Sequence, residues 1–181
     1  MFTQIIPPEM FAGVADFMRI MDTNRDFAWW AETLIAEETK ELKQADAENE
    51  GMEQIFKESA DLFYVVSGFY NCIPANAQPL LTEERHAAIA EILQDAWNTL
   101  ATVSTKYKIP MNLFGEAFAL VHMSNMSKLD ENGEPIRRED GKIRKGPNYQ
   151  PPNMAPVVMK WDKLMEQLKQ QESESDAQTP E

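Results

Sequence analysis

Two short acidic motifs contain the residues of this 181-residue chain that are best suited to chemistry. The first is an EExxE motif that begins at Glu37, and the second is an ExxD motif that begins at Glu58. Residues three and four apart lie on one face of a helix, so each motif gathers carboxylates on one side. Carboxylate oxygens bind hard divalent cations such as Mg²⁺ and Mn²⁺. The spacing therefore predicts a metal site formed by Glu37, Glu38, Glu41, Glu58 and Asp61.

These acids fall on the apolar faces of the helices that are expected to carry them. In a helix expected over about residues 25–48, the apolar stripe continues into Glu38 and Glu41. In the next helix, expected over about residues 52–72, Glu58 shares the apolar face. A short connection between two helices favours antiparallel packing, which brings both motifs to one partly buried seam. A divalent cation would neutralise the like charges there, and zinc is unsuited because no histidine or cysteine accompanies them.

A solvent-exposed helix face is the alternative interpretation of the first motif. Runs of charge are common on exposed helices, and Lys40 and Lys43 could balance these acids. Because both motifs lie on helix faces that are expected to point toward the core, the metal site is the favoured interpretation. A non-catalytic helical interaction module nevertheless stays open as a function of a different class.

Basic residues are concentrated further along the chain. Six of the 17 lysines and arginines fall between Lys128 and Lys145, in a chain whose net charge is −13. This concentration predicts a phosphate-facing surface, with Lys128 and Lys145 favoured over Arg137 and Arg138. The alternative is a hairpin that is charged only for solubility.

Composition limits the class of protein and its partners. Hydrophobic residues make up 43% of the chain, which disfavours disorder, and the scarcity of glycine (7 residues) favours helix. The acidic balance argues against a nucleic-acid polymer as partner. No apolar run of about 18 residues predicts a membrane span, and the N-terminus lacks the features of a signal peptide. Cys72 is the only cysteine, so a reducing cytoplasm is the expected location.

The apolar periodicity predicts an all-α antiparallel bundle of five to six helices, with a small hairpin or loop near the C-terminus. A single domain is expected over residues 1–170, followed by a disordered tail over residues 171–181. Turns are expected at residues 22–24 and around Pro74 and Pro79, and a hairpin around Asp140-Gly141. The expected helices cover about residues 9–21, 25–48, 52–72, 82–107, 111–128 and 155–170.

The acidic motifs resemble a known signature. The strings LIAEETKEL and KESADLFYVV are similar to the EExxE…ExxD pattern of the all-α NTP pyrophosphohydrolases, which include MazG-type enzymes, dimeric dUTPases and phosphoribosyl-ATP pyrophosphohydrolases. The segment VHMSNMSKL…REDGKIRKGPNYQPP resembles a MazG-like branch with dUTP-hydrolysing members. One departure is Ala31, where related helices often carry an arginine. Together the similar segments span about residues 17–152.

The resemblance implies a helical bundle that assembles as a homodimer or a dimer of dimers. It implies Mg²⁺-dependent (or Mn²⁺-dependent) cleavage of a nucleoside triphosphate to monophosphate and pyrophosphate, with dUTP or a related nucleotide as the expected substrate. Phosphoribosyl-ATP and a broad range of non-standard nucleotides are the alternatives. The resemblance places the metal ligands at Glu38, Glu41, Glu58 and Asp61, with Glu37 as a further ligand or water-orienting group, and the substrate-binding residues at Asn125, Lys128, Lys145 and Tyr149.

The expected reaction is attack of a water molecule on the α-phosphorus of the triphosphate. Glu37 is the candidate for holding this water, because it is next to the expected metal ligands but does not lie on the apolar stripe of its helix. Glu38 is the second catalytic carboxylate, and Lys128 and Lys145 are expected to stabilise the charge on the phosphates.

Overall fold

The computed structural model describes residues 7–23, 26–72, 81–139 and 141–177. Within these ranges the protein is an all-α bundle without β-strands, which confirms the predicted fold class. No helix among the described residues has both the length and the apolarity that a membrane span requires. The elements are α1 (Pro8–Ile20), α2 (Phe27–Trp29), a π-helical segment (Trp30–Ile35), α3 (Ala36–Glu48), α4 (Met52–Cys72), α5 (Glu83–Lys106), α6 (Met111–Met126) and α7 (Ala155–Ala177).

Helix α4 lies at the centre of the bundle. Most of its residues are buried, and it packs against α1, α3, α5, α6, α7 and the π-helical segment. A helix that is apolar on every side is stable only when other elements surround it. The second acidic motif, Glu58 to Asp61, therefore lies on the most enclosed element of the fold.

The predicted helix over residues 25–48 is interrupted by the π-helical segment. Asp26 Oδ1 accepts a hydrogen bond from the backbone N–H of Ala28 at 2.9 Å, so the helical stretch begins there, and residues 24 and 25 lie outside the described residues. The backbone N–H of Ala36 donates to the carbonyl of Ala31, five residues earlier. A π-helical turn contains one more residue than an α-helical turn, so the side chains after it are rotated about the helix axis relative to those before it. Such turns are frequent at functional sites.

Helices α3 and α4 form the predicted hairpin. Asn49 ends α3 in the left-handed conformation with a φ of 54°, and Gly51 follows with a φ of 94°. Glycine tolerates this region, and asparagine adopts it more readily than most residues. The three-residue connection makes the two helices neighbours, so their acidic motifs lie side by side.

Gly68 of α4 lies against the ring of Trp30 and leaves no room for a side chain. A Cβ atom on this residue would lie 2.0 Å from Cζ3 of the buried Trp30. We expect Gly68→Ala to lower the free energy of unfolding by about 3 kcal/mol, because Trp30 must shift within a packed core. Urea titration measures the change. Gly13→Ala is the matched control, since its Cβ would lie 3.6 Å from the nearest atom of His122 and should cost nothing. Equal stability of the two variants would contradict the expected overlap.

The C-terminal part contains antiparallel bridges around the predicted hairpin and a last helix that is longer than predicted. The segment after α6 forms isolated antiparallel bridges, Leu129 with Pro135 and Arg137 with Ile143, around the predicted hairpin. Asp140 of that hairpin lies outside the described residues, as do the predicted loop prolines 74 and 79. Helix α7 runs to Ala177, so residues 171–177 are helical and the predicted tail from residue 171 was wrong there. Glutamine and glutamate are good helix formers, and neither glycine nor proline interrupts this stretch.

Candidate metal centre and adjoining cavity

Three of the predicted ligands converge between α3 and α4. Each of Glu38, Glu58 and Asp61 offers a carboxylate oxygen, and these oxygens lie within 4.8 Å of one another. Oxygen ligands lie about 2.0–2.6 Å from Mg²⁺ or Ca²⁺, so ligands of one such ion are at most about 5 Å apart. The arrangement therefore fits a single hard cation without a large movement of the chain.

The buried Glu58 supports this fit independently of the distances. Glu58 is only 3% exposed. Oε1 accepts hydrogen bonds from Gln54 Nε2 at 2.5 Å and from Lys57 Nζ at 2.7 Å. Oε2 is buried and has no hydrogen-bond partner among the described residues. An unpaired buried carboxylate oxygen is costly, and a coordinated cation would satisfy it.

The electrostatics of the cluster also favour a cation. Burial, with repulsion from Asp61, Glu41 and Glu58, raises the pKa of Glu38 to about 8. Burial likewise raises the pKa of Glu58, although its hydrogen bond from Lys57 opposes the change. Without a metal, the cluster therefore tends to hold a proton that a divalent ion would displace.

Lys57 is a member of the cluster that the sequence analysis missed. Its Nζ lies 2.7 Å from Glu58 Oε1 and 3.0 Å from Asp61 Oδ2. Burial alone would lower the pKa of this lysine, but Asp61 and Glu58 together hold it above the ordinary value. Lys57 is thus an internal counter-ion of the two α4 carboxylates. The i, i+4 spacing of Lys57 and Asp61 was a signal that could have indicated it.

Glu37 and Glu41 lie outside the group of three. The side chain of Glu37 is 45% exposed and forms an ion pair with Lys142. Glu41 is exposed, yet close enough to raise the pKa of both Glu38 and Glu58. Neighbouring helix residues point about 100° apart, so Glu37 faces away from the seam that Glu38 enters. The ligand roles of Glu37 and Glu41, and the water-holding role of Glu37, stay predictions.

A cavity of about 180 Å³ adjoins the acids. Glu38 and Asp61 form part of its wall, so the candidate metal centre opens directly into it. Most of the remaining wall is aromatic or aliphatic. Its lining residues are Phe17, Thr23, Trp29, Trp30, Leu34, Glu38, Asp61, Tyr64, Val65, Asn125, Lys128, Gly141, Lys142 and Ile143.

Two of the four predicted substrate-binding residues line this cavity. Asn125, 8% exposed, and Lys128 both belong to the wall. Burial lowers the pKa of Lys128, while Asp61, Tyr149 and Glu38 act in the opposite direction. Lys145 and Tyr149 do not line the cavity, and Lys145 Nζ instead lies 4.7 Å from the centre of the Tyr149 ring.

Lys142 lines the cavity, whereas Lys145, the lysine that had been predicted to bind phosphate, does not. Lys142 Nζ forms the ion pair with Glu37, and its side chain is largely covered. Lys142 directly precedes Ile143, which forms an antiparallel bridge with Arg137. Arg137 Nη2 donates to the carbonyl of Met21 at 2.7 Å, which holds the same turn against the connection after α1.

Tyr64 and His122 form a further polar pair beside the cavity. Tyr64 lines the wall, and its hydroxyl lies 3.0 Å from His122 Nδ1. The two rings are stacked with centroids 5.9 Å apart. Burial lowers the pKa of His122 and raises that of Tyr64. Both side chains are therefore neutral near pH 7, and their hydrogen bond fixes the Tyr64 ring in the wall.

One of the comparisons with known proteins gave a match. Residues 15–72 match the family "Phosphoribosyl-ATP pyrophosphohydrolase", which belongs to the all-α MazG-like NTP pyrophosphohydrolase superfamily. The matched range runs from α1 to the end of α4 and contains all five predicted ligands, but it is less than half of the chain. It supports a hydrolase of the MazG-like pyrophosphohydrolase type. No match was found among curated proteins or among solved structures.

Proposed function

We propose that this protein is a divalent-metal-dependent pyrophosphohydrolase that converts a nucleotide with a 5′-triphosphate to the monophosphate and pyrophosphate. The observation that supports this most directly is the buried Glu58 Oε2, which has no hydrogen-bond partner among the described residues and lies in a carboxylate cluster beside an aromatic-walled cavity. A solvated acidic face would not need a buried, unpaired carboxylate. The non-enzymatic helical module is therefore the weaker hypothesis.

Glu38, Glu58 and Asp61 would hold the metal, with Mg²⁺ as the expected ion and Mn²⁺ as the alternative. When bound, such an ion neutralises phosphate charge and lowers the pKa of a coordinated water. Lys128 and Lys142 line the same cavity. Their positive charges would attract the phosphates and so offset the repulsion from the carboxylates. Asn125 would orient the nucleotide through its amide. Glu37 remains the candidate for holding the attacking water, and its ion pair with Lys142 would then have to open.

Two candidate substrates are supported by different observations. Phosphoribosyl-ATP has the support of the family match over residues 15–72. dUTP has only the resemblance of the segment after α6 to a branch with dUTP-hydrolysing members. We therefore propose phosphoribosyl-ATP as the first substrate to test, with dUTP as the second.

Pyrophosphate release from a panel of substrates tests the function. The panel contains phosphoribosyl-ATP, dUTP and the standard nucleoside triphosphates, each with Mg²⁺, with Mn²⁺ and with a chelator. We expect release with at least one substrate, only when the metal is present, and with monophosphate in equal amount. Release of orthophosphate instead of pyrophosphate would contradict cleavage at the α-phosphorus. Failure of all substrates, together with unchanged thermal stability on addition of Mg²⁺, would favour the interaction module.

A further inference from the structure

Lys57 contacts both carboxylates that α4 contributes to the acidic cluster. Its Nζ lies 2.7 Å from Glu58 Oε1 and 3.0 Å from Asp61 Oδ2. The third acid of the cluster, Glu38, comes from α3, and one oxygen of each of the three acids lies within 4.8 Å of the others. The cluster therefore already contains one positive charge, which the chain itself supplies.

The ammonium group of Lys57 occupies the position of a bridging cation. In two-metal sites the ions lie about 3.5–4 Å apart, so that one set of ligands can hold both. Lys57 Nζ joins one oxygen of Glu58 to one oxygen of Asp61, as a second ion in such a site would. Its distances of 2.7 and 3.0 Å are only slightly longer than the roughly 2.0–2.6 Å between Mg²⁺ or Ca²⁺ and an oxygen ligand. Lysine is charged at neutral pH, so this position is already filled by a cation.

Glu58 Oε1 is fully used by its hydrogen bonds. It accepts one from Gln54 Nε2 at 2.5 Å and one from Lys57 Nζ at 2.7 Å. A carboxylate oxygen offers about two acceptor positions. A second metal ion at this oxygen would have to displace one of the two donors, and it would also be repelled by the ammonium group.

The lysines of α3 do not take this role. Lys43 could balance the acids of its own helix, but its Nζ pairs with Asp95 of α5 at 2.7 Å. Lys40 is exposed. The side chain of Lys57, by contrast, is only 32% exposed, and it lies one turn from Asp61 on the same helix.

We propose that Lys57 takes the place of a second divalent ion, so that the acidic cluster holds one metal ion per chain when no nucleotide is bound. The proposal deepens the proposed function, because it takes this cluster to be the metal centre of the pyrophosphohydrolase. Glu38, Glu58 and Asp61 would hold that one ion. Any further ion would have to arrive on the phosphates of the nucleotide, which bind Mg²⁺ themselves.

The number of Mn²⁺ ions bound without nucleotide tests this role without relying on turnover. Mn²⁺ is paramagnetic, so electron paramagnetic resonance measures the free ion while each protein is titrated. We expect one Mn²⁺ per chain in the wild type and two in Lys57→Met, because methionine has a similar length but lacks the charge and the donor. The loss of the positive charge should also tighten binding of the first ion at least about tenfold.

Further variants separate this role from a structural one. Lys57→Arg keeps the charge and should bind one ion, whereas Lys57→Gln is neutral and should bind two, as Lys57→Met does. The matched control is Lys40→Met, which removes an exposed lysine of α3 and should leave the number at one. Glu38→Gln should lose the ion, which assigns it to the cluster. A lysine that only stabilised α4 would change the melting temperature when replaced, but not the number of bound ions.

Two outcomes would overturn the proposal alone. The wild type could bind two Mn²⁺ ions with similar affinity, or both neutral variants of Lys57 could bind only one. Either result, with metal-dependent release of pyrophosphate by the wild type, leaves the proposed function intact. A wild type that binds no Mn²⁺ and releases pyrophosphate from no substrate would overturn both.

Discussion

Replacement of Glu38 by glutamine, or of Asp61 by asparagine, is expected to reduce pyrophosphate release at least roughly 1,000-fold. Each change removes one negative charge from a cluster whose oxygens lie within 4.8 Å of one another. A neutral amide binds a divalent cation more weakly and can turn its N–H₂ group toward it. The metal that should activate the water and hold the phosphates would then be lost or displaced.

The fold should survive both changes. Glutamine and asparagine nearly match the volumes of the residues that they replace, and the core residues of α4 are untouched. Circular dichroism should therefore give the helical content of the wild type. Glu48→Gln is the matched control, because Glu48 is an exposed acid on the same helix as Glu38 and should retain full activity. Wild-type turnover in both cluster variants would exclude this cluster as the metal site.

The stability of the metal-free protein is expected to fall as pH rises from about 4.5 to 8. The pKa of Glu38 is 4.5 in an unfolded chain and about 8 in the folded protein. Between these values the folded state holds a proton that the unfolded state has released, so the free energy of unfolding decreases with pH. The loss is complete above pH 8 and amounts to at most about 5 kcal/mol.

Glu38→Gln isolates this contribution from other titrating groups. The pKa of His122 is lowered by burial, so His122 acts in the opposite direction below pH 6.5. The difference in urea stability between wild type and Glu38→Gln removes that background. We expect the variant to be more stable than the metal-free wild type at pH 8, and the advantage to disappear near pH 4.5. A difference that is independent of pH would show that Glu38 does not hold a proton in the folded state.

Mg²⁺ should reverse the trend in the wild type. Metal binding requires the ionised carboxylate, so it competes with the proton on Glu38. The rise in melting temperature that Mg²⁺ causes is therefore expected to be larger at pH 8 than at pH 6. In Glu38→Gln this pH dependence should be small. A larger effect of Mg²⁺ at pH 6 in the wild type would contradict the linkage.

The sequence by itself determined the fold class and the core of the site. Apolar residues at helical spacing must be buried together, so the helical bundle follows from periodicity, whereas the central position of α4 is seen only in the structure. Glu38 and Glu58 lie on those apolar lines, and Asp61 is one turn from Glu58. A three-residue connection makes α3 and α4 neighbours. These relations are local in the chain, which is why they could be predicted.

The tertiary structure alone decided which other side chains meet the acids. The π-helical segment rotates the side chains of α3 about the helix axis relative to Trp29 and Trp30. A prediction that assumes 3.6 residues per turn throughout misses this rotation. Lys57 is a local neighbour of Glu58 and Asp61, and the structure adds that its side chain contacts both carboxylates at once.

Contacts between distant parts of the chain were equally beyond the sequence. The turn after α6 brings Lys142, and not Lys145, to the cavity. The metal centre that local spacing predicts thus depends on non-local packing for the lysine that faces the phosphates, Lys142.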